Sequence, residues 1–205
     1  MEKDQNTVSE KQDLILATTS PYRLEIFEKL GLYFTSEGSK VDEYTADRPS
    51  NPEDLTKHLA RLKAESVAQN HKIGIVVGFD SVGLFNGEIL EKPRSREEGF
   101  ARLKAMSGKT FSFYSGVYMI DVTTGKTLSK CVKTNNTMRK YSDNEIDKYL
   151  DNCDEKYKTY AHGFDSSNYY SMTFIDTIVG NPMNVMMGIP LSTIMEMLQE
   201  MGFTL

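Results

Sequence analysis

The sequence predicts an α/β fold, a mixed and twisted sheet with flanking helices. Three observations point to it. Apolar, strand-like runs alternate with segments whose apolar residues recur at helical spacing. Helix-start signals precede those segments, at Ser20-Pro21, Asn51-Pro52, Ser95 with Glu98, and Ser142 with Glu145. The length of 205 residues suits one domain, or one domain with two lobes, and is long enough to bury a core without staples.

The elements follow in order. Residues 1–12 read as a disordered polar tail, and the domain occupies 13–205. Residues 14–17 are a buried strand. Ser20 caps a helix that starts at Pro21, turns Leu24, Phe27 and Leu30 toward the core and stops at Gly31. Residues 33–36 form a second strand. Asn51-Pro52-Glu53 opens a helix with Leu55, Leu59, Leu62 and Ala64 on its inner side. Residues 72–79 are a strand, and Asn86-Gly87 is the turn of a hairpin. Ser95 and Glu98 make a capping box for a helix ending at Gly108. Residues 111–121 and 126–139 form a long hairpin across Thr123-Thr124-Gly125. Ser142 and Glu145 box a further helix that runs to Leu150. The polar, turn-rich stretch 151–170 is a candidate lid. A strand at 171–177 and a helix at 190–201 close the chain.

Composition narrows the class. A charged content of 26% against 39% hydrophobic residues describes an ordinary soluble globule. The net charge of −5 argues against a broad nucleic-acid surface, though not against a small phosphate pocket. No apolar stretch reaches membrane-spanning length, and the first residues lack the apolar core of a secretory signal, so a cytoplasmic location is expected. Cys131 and Cys153 show neither metal-ligand spacing nor a disulfide framework and read as reduced thiols. His58, His71 and His162 make no metal spacing; His162 falls in the candidate lid. The C-terminal methionines read as core filling.

The chemistry-bearing residues begin with Ser20-Pro21-Tyr22-Arg23. A helix N-terminus offers free N–H groups and a favourable dipole to an anion, so an arginine there makes sense if a polyvalent anion is bound. The alternative is that Arg23 pairs with Glu25 or Glu28. Asp80 directly follows an apolar run, at the carboxyl end of a strand, where ligands collect in α/β sheets. It could bind Mg²⁺, act as a base, or cap a turn. Asp42-Glu43 in a loop, Lys63 on the second helix and Lys92-Pro93 after the hairpin complete two acid sites and three cations. That set suits a metal-assisted phosphate site.

With these motifs assembled in order, the chain resembles the Maf family of nucleoside triphosphate pyrophosphatases from about Leu14 to its end. The resemblance rests on LATTSPYRLEIFEKLG, Val41-Asp42-Glu43, Leu59-Ala-Arg-Leu-Lys63-Ala64, Gly78-Phe79-Asp80-Ser81, Gly87-Glu-Ile-Leu-Glu-Lys92-Pro93, Met106-Ser-Gly108 with Ser115-Gly116-Val117, and Asn184-Val-Met-Met-Gly188-Ile-Pro190-Leu191. It implies an elongated, two-lobed single domain with a central nucleotide cleft. It also implies hydrolysis of a nucleoside triphosphate, non-standard or modified, to the monophosphate and pyrophosphate with Mg²⁺ or Mn²⁺. Asp80 would then be the proton acceptor, a metal ligand or both, and Glu43 the second acid at the metal. Ser20, Arg23, Lys63 and Lys92 would surround the triphosphate. A homodimer is implied by the resemblance alone.

Three family positions tied to base choice fall on Tyr22, Ser81 and Asn168. The family branch acting on 7-methyl-GTP has an aromatic residue at the first position and resembles Phe113-Tyr114-Ser115-Gly116; the dTTP/UTP branch has an arginine there. An aromatic face suits a cationic purine; the alternative is that Tyr22 packs against a neighbouring loop. Asn168 stands where that branch has an acid, and Phe111 where many relatives have histidine. These departures keep a second reading open, a nucleotide-binding regulator of cell division or septum formation with weak or lost catalysis.

Overall fold

The computed structural model describes residues 13–45, 47–160, 162–165 and 168–204. The tail expected at 1–12 lies outside them. The chain runs β1 (Leu14–Ala17), α1 (Pro21–Lys29), β2 (Thr35–Ser36), α2 (Pro52–Ala68), β3 (Ile75–Phe85), β4 (Glu88–Leu90), α3 (Arg96–Met106), β5 (Thr110–Asp121), β6 (Thr127–Met138), α4 (Asp143–Asp151), a 3₁₀ turn (Lys156–Lys158), α5 (Tyr169–Met172), β7 (Ile175–Val179), α6 (Pro182–Met186) and α7 (Leu191–Glu200). The described strands form one mixed, open sheet of seven, in the order β2-β1-β3-β5-β6-β7, with β4 on β3. β1 is parallel to β2 and β3, and the remaining pairs are antiparallel.

The side-chain alternation of β3 and β5 builds two cores on one face of this sheet. Val77 and Phe79 of β3 and Val117 and Met119 of β5 join α1 and α7 in the first. Phe85 of β3 and Phe111 and Phe113 of β5 join α3, α4 and the 153–174 segment in the second. Between the cores the same face carries Ser81 and Ser115, whose hydroxyls lie 2.8 Å apart. Small polar residues cannot join either core, so the two lobes part along this line.

Helix α2 covers the opposite face. It sits unusually low there, because Gly78 and Gly116 lie beneath it. A Cβ at Gly78 would stand 2.1 Å from the Ala60 carbonyl oxygen, and one at Gly116 only 2.3 Å from that of Thr56. Leu55, Leu59, Ala60, Ala64 and Val67 are buried against the sheet, and Leu62 is partly buried. The same low approach carries Lys63 to β3.

Several boundaries differ from expectation. The strand expected at 72–79 starts at Ile75 and continues to Phe85, because β5 pairs with it as far as Leu84↔Ser112. Asp80 is therefore a mid-strand residue, not a strand end. The parallel partner β1, however, stops at Ala17↔Gly78, so Asp80 does lie just beyond the carboxyl end of the parallel part. The strand expected at 33–36 keeps only Thr35 and Ser36, and Tyr33 is exposed. In the strand expected at 171–177 the first residues are helical: Asn168 accepts the Tyr170 N–H, and the buried Ser171 hydroxyl bonds the Asn168 carbonyl. Helix α1 buries Ile26 and Phe27, while Leu30, past its last turn, is exposed. Ser142 and Glu145 form the expected reciprocal box. Ser95 accepts from Glu98 N–H, but Glu98 takes the Arg94 N–H, so only half of that box closes. The stretch 151–170 is no loose cover, since Tyr157, His162 and Phe164 are buried in the second lobe. Both cysteines are free. Among the described residues no helix is long and apolar enough to cross a membrane.

The close approach of α2 generates a prediction. Gly116→Ala forces the helix off the sheet and should lower stability by about 1–3 kcal/mol. Urea unfolding checks this; a wild-type midpoint for the variant would contradict it.

Candidate active site

Where the two lobes part, a cavity of about 610 Å³ opens. Its wall gathers Ser20, Tyr22, Arg23, Glu43, Lys63, Asp80, Ser81 and Lys92 from five separate stretches of sequence. Each comes from an element with its own local reason to be there. Pro21 starts α1, and Ser20 at its N-cap makes no capping bond with its side chain. The first turn of α1 holds no acid, so its dipole is left for something else.

Asp80 and Ser81 are neighbours on β3 and so point to opposite faces. Asp80 faces α2. Its Oδ1 accepts from Lys63 Nζ at 2.7 Å, and the same Nζ lies 2.9 Å from Glu43 Oε1. Asp80 Oδ2 is buried and makes no hydrogen bond. Burial pushes the Asp80 carboxyl above its ordinary pKa; the Lys63 charge and hydrogen bond, and then Arg23, act against this, while Glu43 reinforces it. A buried carboxylate with one oxygen tied and one unpartnered can accept a proton or bind a cation.

Ser81 faces the other lobe seam. Its hydroxyl meets Ser115 Oγ and donates toward the Gly188 carbonyl oxygen at 3.1 Å; it also accepts from Arg23 Nη2 at 3.3 Å. Arg23 does not pair with Glu25, which instead holds Lys29 at 2.6 Å. Its guanidinium stacks 5.4 Å from the Phe79 ring centroid. Burial lowers its pKa from the usual value, and Asp80 and Glu43 oppose that shift. A part-buried guanidinium with one weak neutral partner is a strong anion ligand.

Asn168 is not among the residues lining this wall; its side chain caps α5 by accepting the Tyr170 N–H. Conversely, Arg48, Glu91, Arg94 and Tyr160, to which the sequence reading assigns no role, line the cavity, as does His162 of the candidate lid. Arg94 stands two residues beyond Lys92 across Pro93, a spacing that could have flagged it. Arg48 and Tyr160 sit in irregular segments with no periodicity to read. Arg48 reaches Glu91 at 3.3 Å and lies over Tyr44 at 4.6 Å, closing the cavity's rim. The lining holds five cations, Arg23, Arg48, Lys63, Lys92 and Arg94, against three carboxylates, Glu43, Asp80 and Glu91, so the wall is net positive although the chain is acidic.

Among the described residues no cluster of three or more His, Cys, Asp or Glu side chains gathers. The pair Glu43 and Asp80 nevertheless fits a hard divalent cation that shares its shell with substrate phosphates, since such ions need only one or two carboxylates. The unpartnered Asp80 Oδ2 is the observation behind that fit.

A family model described as "Maf-like protein" matches residues 13–201. The chain belongs to the Maf-like protein family. Among its curated relatives, the 7-methyl-GTP pyrophosphatase of Ralstonia nicotianae is 33% identical over 94% of this chain and 97% of its own. The Vibrio vulnificus protein of the same name is 31% identical over 94% and 97%. The dTTP/UTP pyrophosphatase of Dictyoglomus thermophilum is 27% identical over 95% and 99%. This Maf-like protein thus matches relatives of two differently named activities across nearly their whole lengths.

The buried carboxyl carries a stability signature. A carboxyl whose folded pKa is raised holds its proton more tightly in the native state, so it opposes folding as pH climbs from its unfolded to its folded value, and fully above that. Asp80→Asn should therefore melt above the wild type at about pH 8, with the gap narrowing as pH falls toward the ordinary carboxylate range. Lys63 keeps Glu43 as a partner in the variant. Thermal melts across pH check this, and a variant less stable than wild type at every pH would contradict it.

Proposed function

We propose that this Maf-like protein hydrolyses nucleoside triphosphates to the monophosphate and pyrophosphate. One observation carries the reading: a buried Asp80 with an unpartnered oxygen, set in a net-positive cavity that opens on the N-terminus of α1. The names of the relatives support the substrate class.

In this reading Ser20, the α1 N–H groups and Arg23 hold the phosphates, with Lys63, Lys92, Arg48 and Arg94 adding charge around them. Asp80 Oδ2 takes a proton from water as the water oxygen bonds to the α-phosphorus. The bond from that phosphorus to the α,β-bridging oxygen breaks, and pyrophosphate leaves with the electron pair. Lys63 holds Asp80 in place through Oδ1. Glu43 and Asp80 would hold Mg²⁺ or Mn²⁺, which supplies charge neutralisation and polarises phosphoryl oxygens. Desolvation, which raises the Asp80 pKa, makes it a better base near neutral pH.

Tyr22 on the cavity wall favours a purine and above all a cationic one, which supports 7-methyl-GTP over a pyrimidine triphosphate. The domain is the stretch from residue 13 onward, and its activity is a cytoplasmic clearing of modified nucleotides. The regulator without catalysis is not favoured, because the acid–lysine pair is intact and the relatives are named as enzymes.

A panel of 7-methyl-GTP, GTP, UTP and dTTP with Mg²⁺ should release pyrophosphate from at least one member. Asp80→Asn should lose about 10²–10⁴-fold in turnover while binding nucleotide as well as the wild type. Folded wild-type protein that turns over none of the panel would end the reading.

A further inference from the structure

The cavity lining is of two chemical kinds. One is the cationic set around Asp80. The other is aromatic and comes from both lobes. Tyr22 stands on α1, which is rooted in the first core. Tyr160 comes from the stretch that packs into the second. Their ring centroids are 5.5 Å apart at an interplanar angle of 49°.

Tyr160 does not stand alone. The His162 ring lies 5.5 Å behind it and nearly parallel, at 8°. His162 in turn rests on Phe164 at 4.1 Å and on Phe113 at 5.6 Å. It is 1% exposed, and burial first, then the nearby Arg102, drives its pKa down to about 3. The imidazole is therefore neutral at physiological pH and adds no charge to the wall. Nothing in the chemistry at Asp80 uses it. Tyr157 and Phe164 are buried and serve the core, whereas Tyr160 is only half-buried and lines the cavity.

A nucleoside triphosphate also has two sides, a polyanion and a flat heteroaromatic base. Matching the charged half to the cations leaves the base facing the rings. We propose that Tyr160 is a specificity-determining residue that stacks on the nucleobase, with Tyr22 beside it and His162 behind it, and so favours purine over pyrimidine triphosphates. This deepens the pyrophosphatase reading and rests on it. The physical ground is that stacking grows with ring area, is tolerant of base identity and is strengthened when the platform ring cannot swing away. His162 supplies that restraint on one face of Tyr160. The electron-rich faces of both tyrosines also suit a positively charged purine.

Steady-state kinetics with 7-methyl-GTP, GTP and UTP tests it on the wild type and on Tyr160→Phe, Tyr160→Leu and Tyr160→Met. Methionine fills similar space without a π face and serves if the leucine variant melts early. Removing the ring should raise KM for both purine nucleotides about tenfold, with a smaller rise for UTP and kcat nearly unchanged. Phenylalanine should keep the wild-type KM. Equal KM changes for purine and pyrimidine, a loss confined to kcat, or a phenylalanine variant as impaired as leucine would overturn the role of Tyr160 alone. A wild type inert toward every triphosphate would overturn the pyrophosphatase reading and this proposal with it.

Discussion

A carboxylate kept out of water in the middle of a strand is the constraint on which the rest of this structure turns. Burying an ion costs several kcal/mol, and one cation rarely offsets it in full. The upward shift of the Asp80 pKa says the same of this site: Lys63 at 2.7 Å reduces the cost without cancelling it. The fold keeps the acid buried by surrounding it from both faces of the sheet. Helix α2 presses down where Gly78 and Gly116 admit its backbone, and that contact delivers Lys63. From the other face Arg23 adds positive potential, anchored over Phe79.

The division into two lobes follows from the same strands. A long β3–β5 pairing could have carried one continuous core. Ser81 and Ser115 interrupt it, and each side of the gap collects its own apolar cluster. The gap is then lined by groups that neither core can use. It holds cations and carboxylates together with aromatic rings, and a charged, flat, two-part ligand fits that mixture. Ser81 also ties the seam to the loop before α7 through the Gly188 carbonyl, so sheet and C-terminal helix share one polar junction.

Much of this was legible in the residues, and what was not has physical reasons. Helices with explicit caps, such as Asn51-Pro52 and the Ser142–Glu145 box, begin where expected because capping is a local interaction. The site residues from Ser20 to Lys92 could be gathered because their motifs keep a fixed order along the chain. Strand ends were poorly legible, since β3 is prolonged by partners on β5 some thirty residues away in sequence. The segment 151–170 misled most. Its polar composition suggests a loose cover, yet Tyr157, His162 and Phe164 are core, and only tertiary packing reveals that. Asn168 lies in the same stretch; its side chain caps α5, an interaction that no period in the sequence signals.

The account's central claim is that a polyphosphate lies along the start of α1 with its α-phosphorus beside Asp80. The most direct measurement is a crystal structure of Asp80→Asn bound to an α,β-methylene nucleoside triphosphate and Mg²⁺. The expected density places the phosphates against Ser20 and Arg23 and the α-phosphorus next to residue 80. A triphosphate bound outside this cavity, or inside it with the α-phosphorus remote from residue 80, would contradict the account.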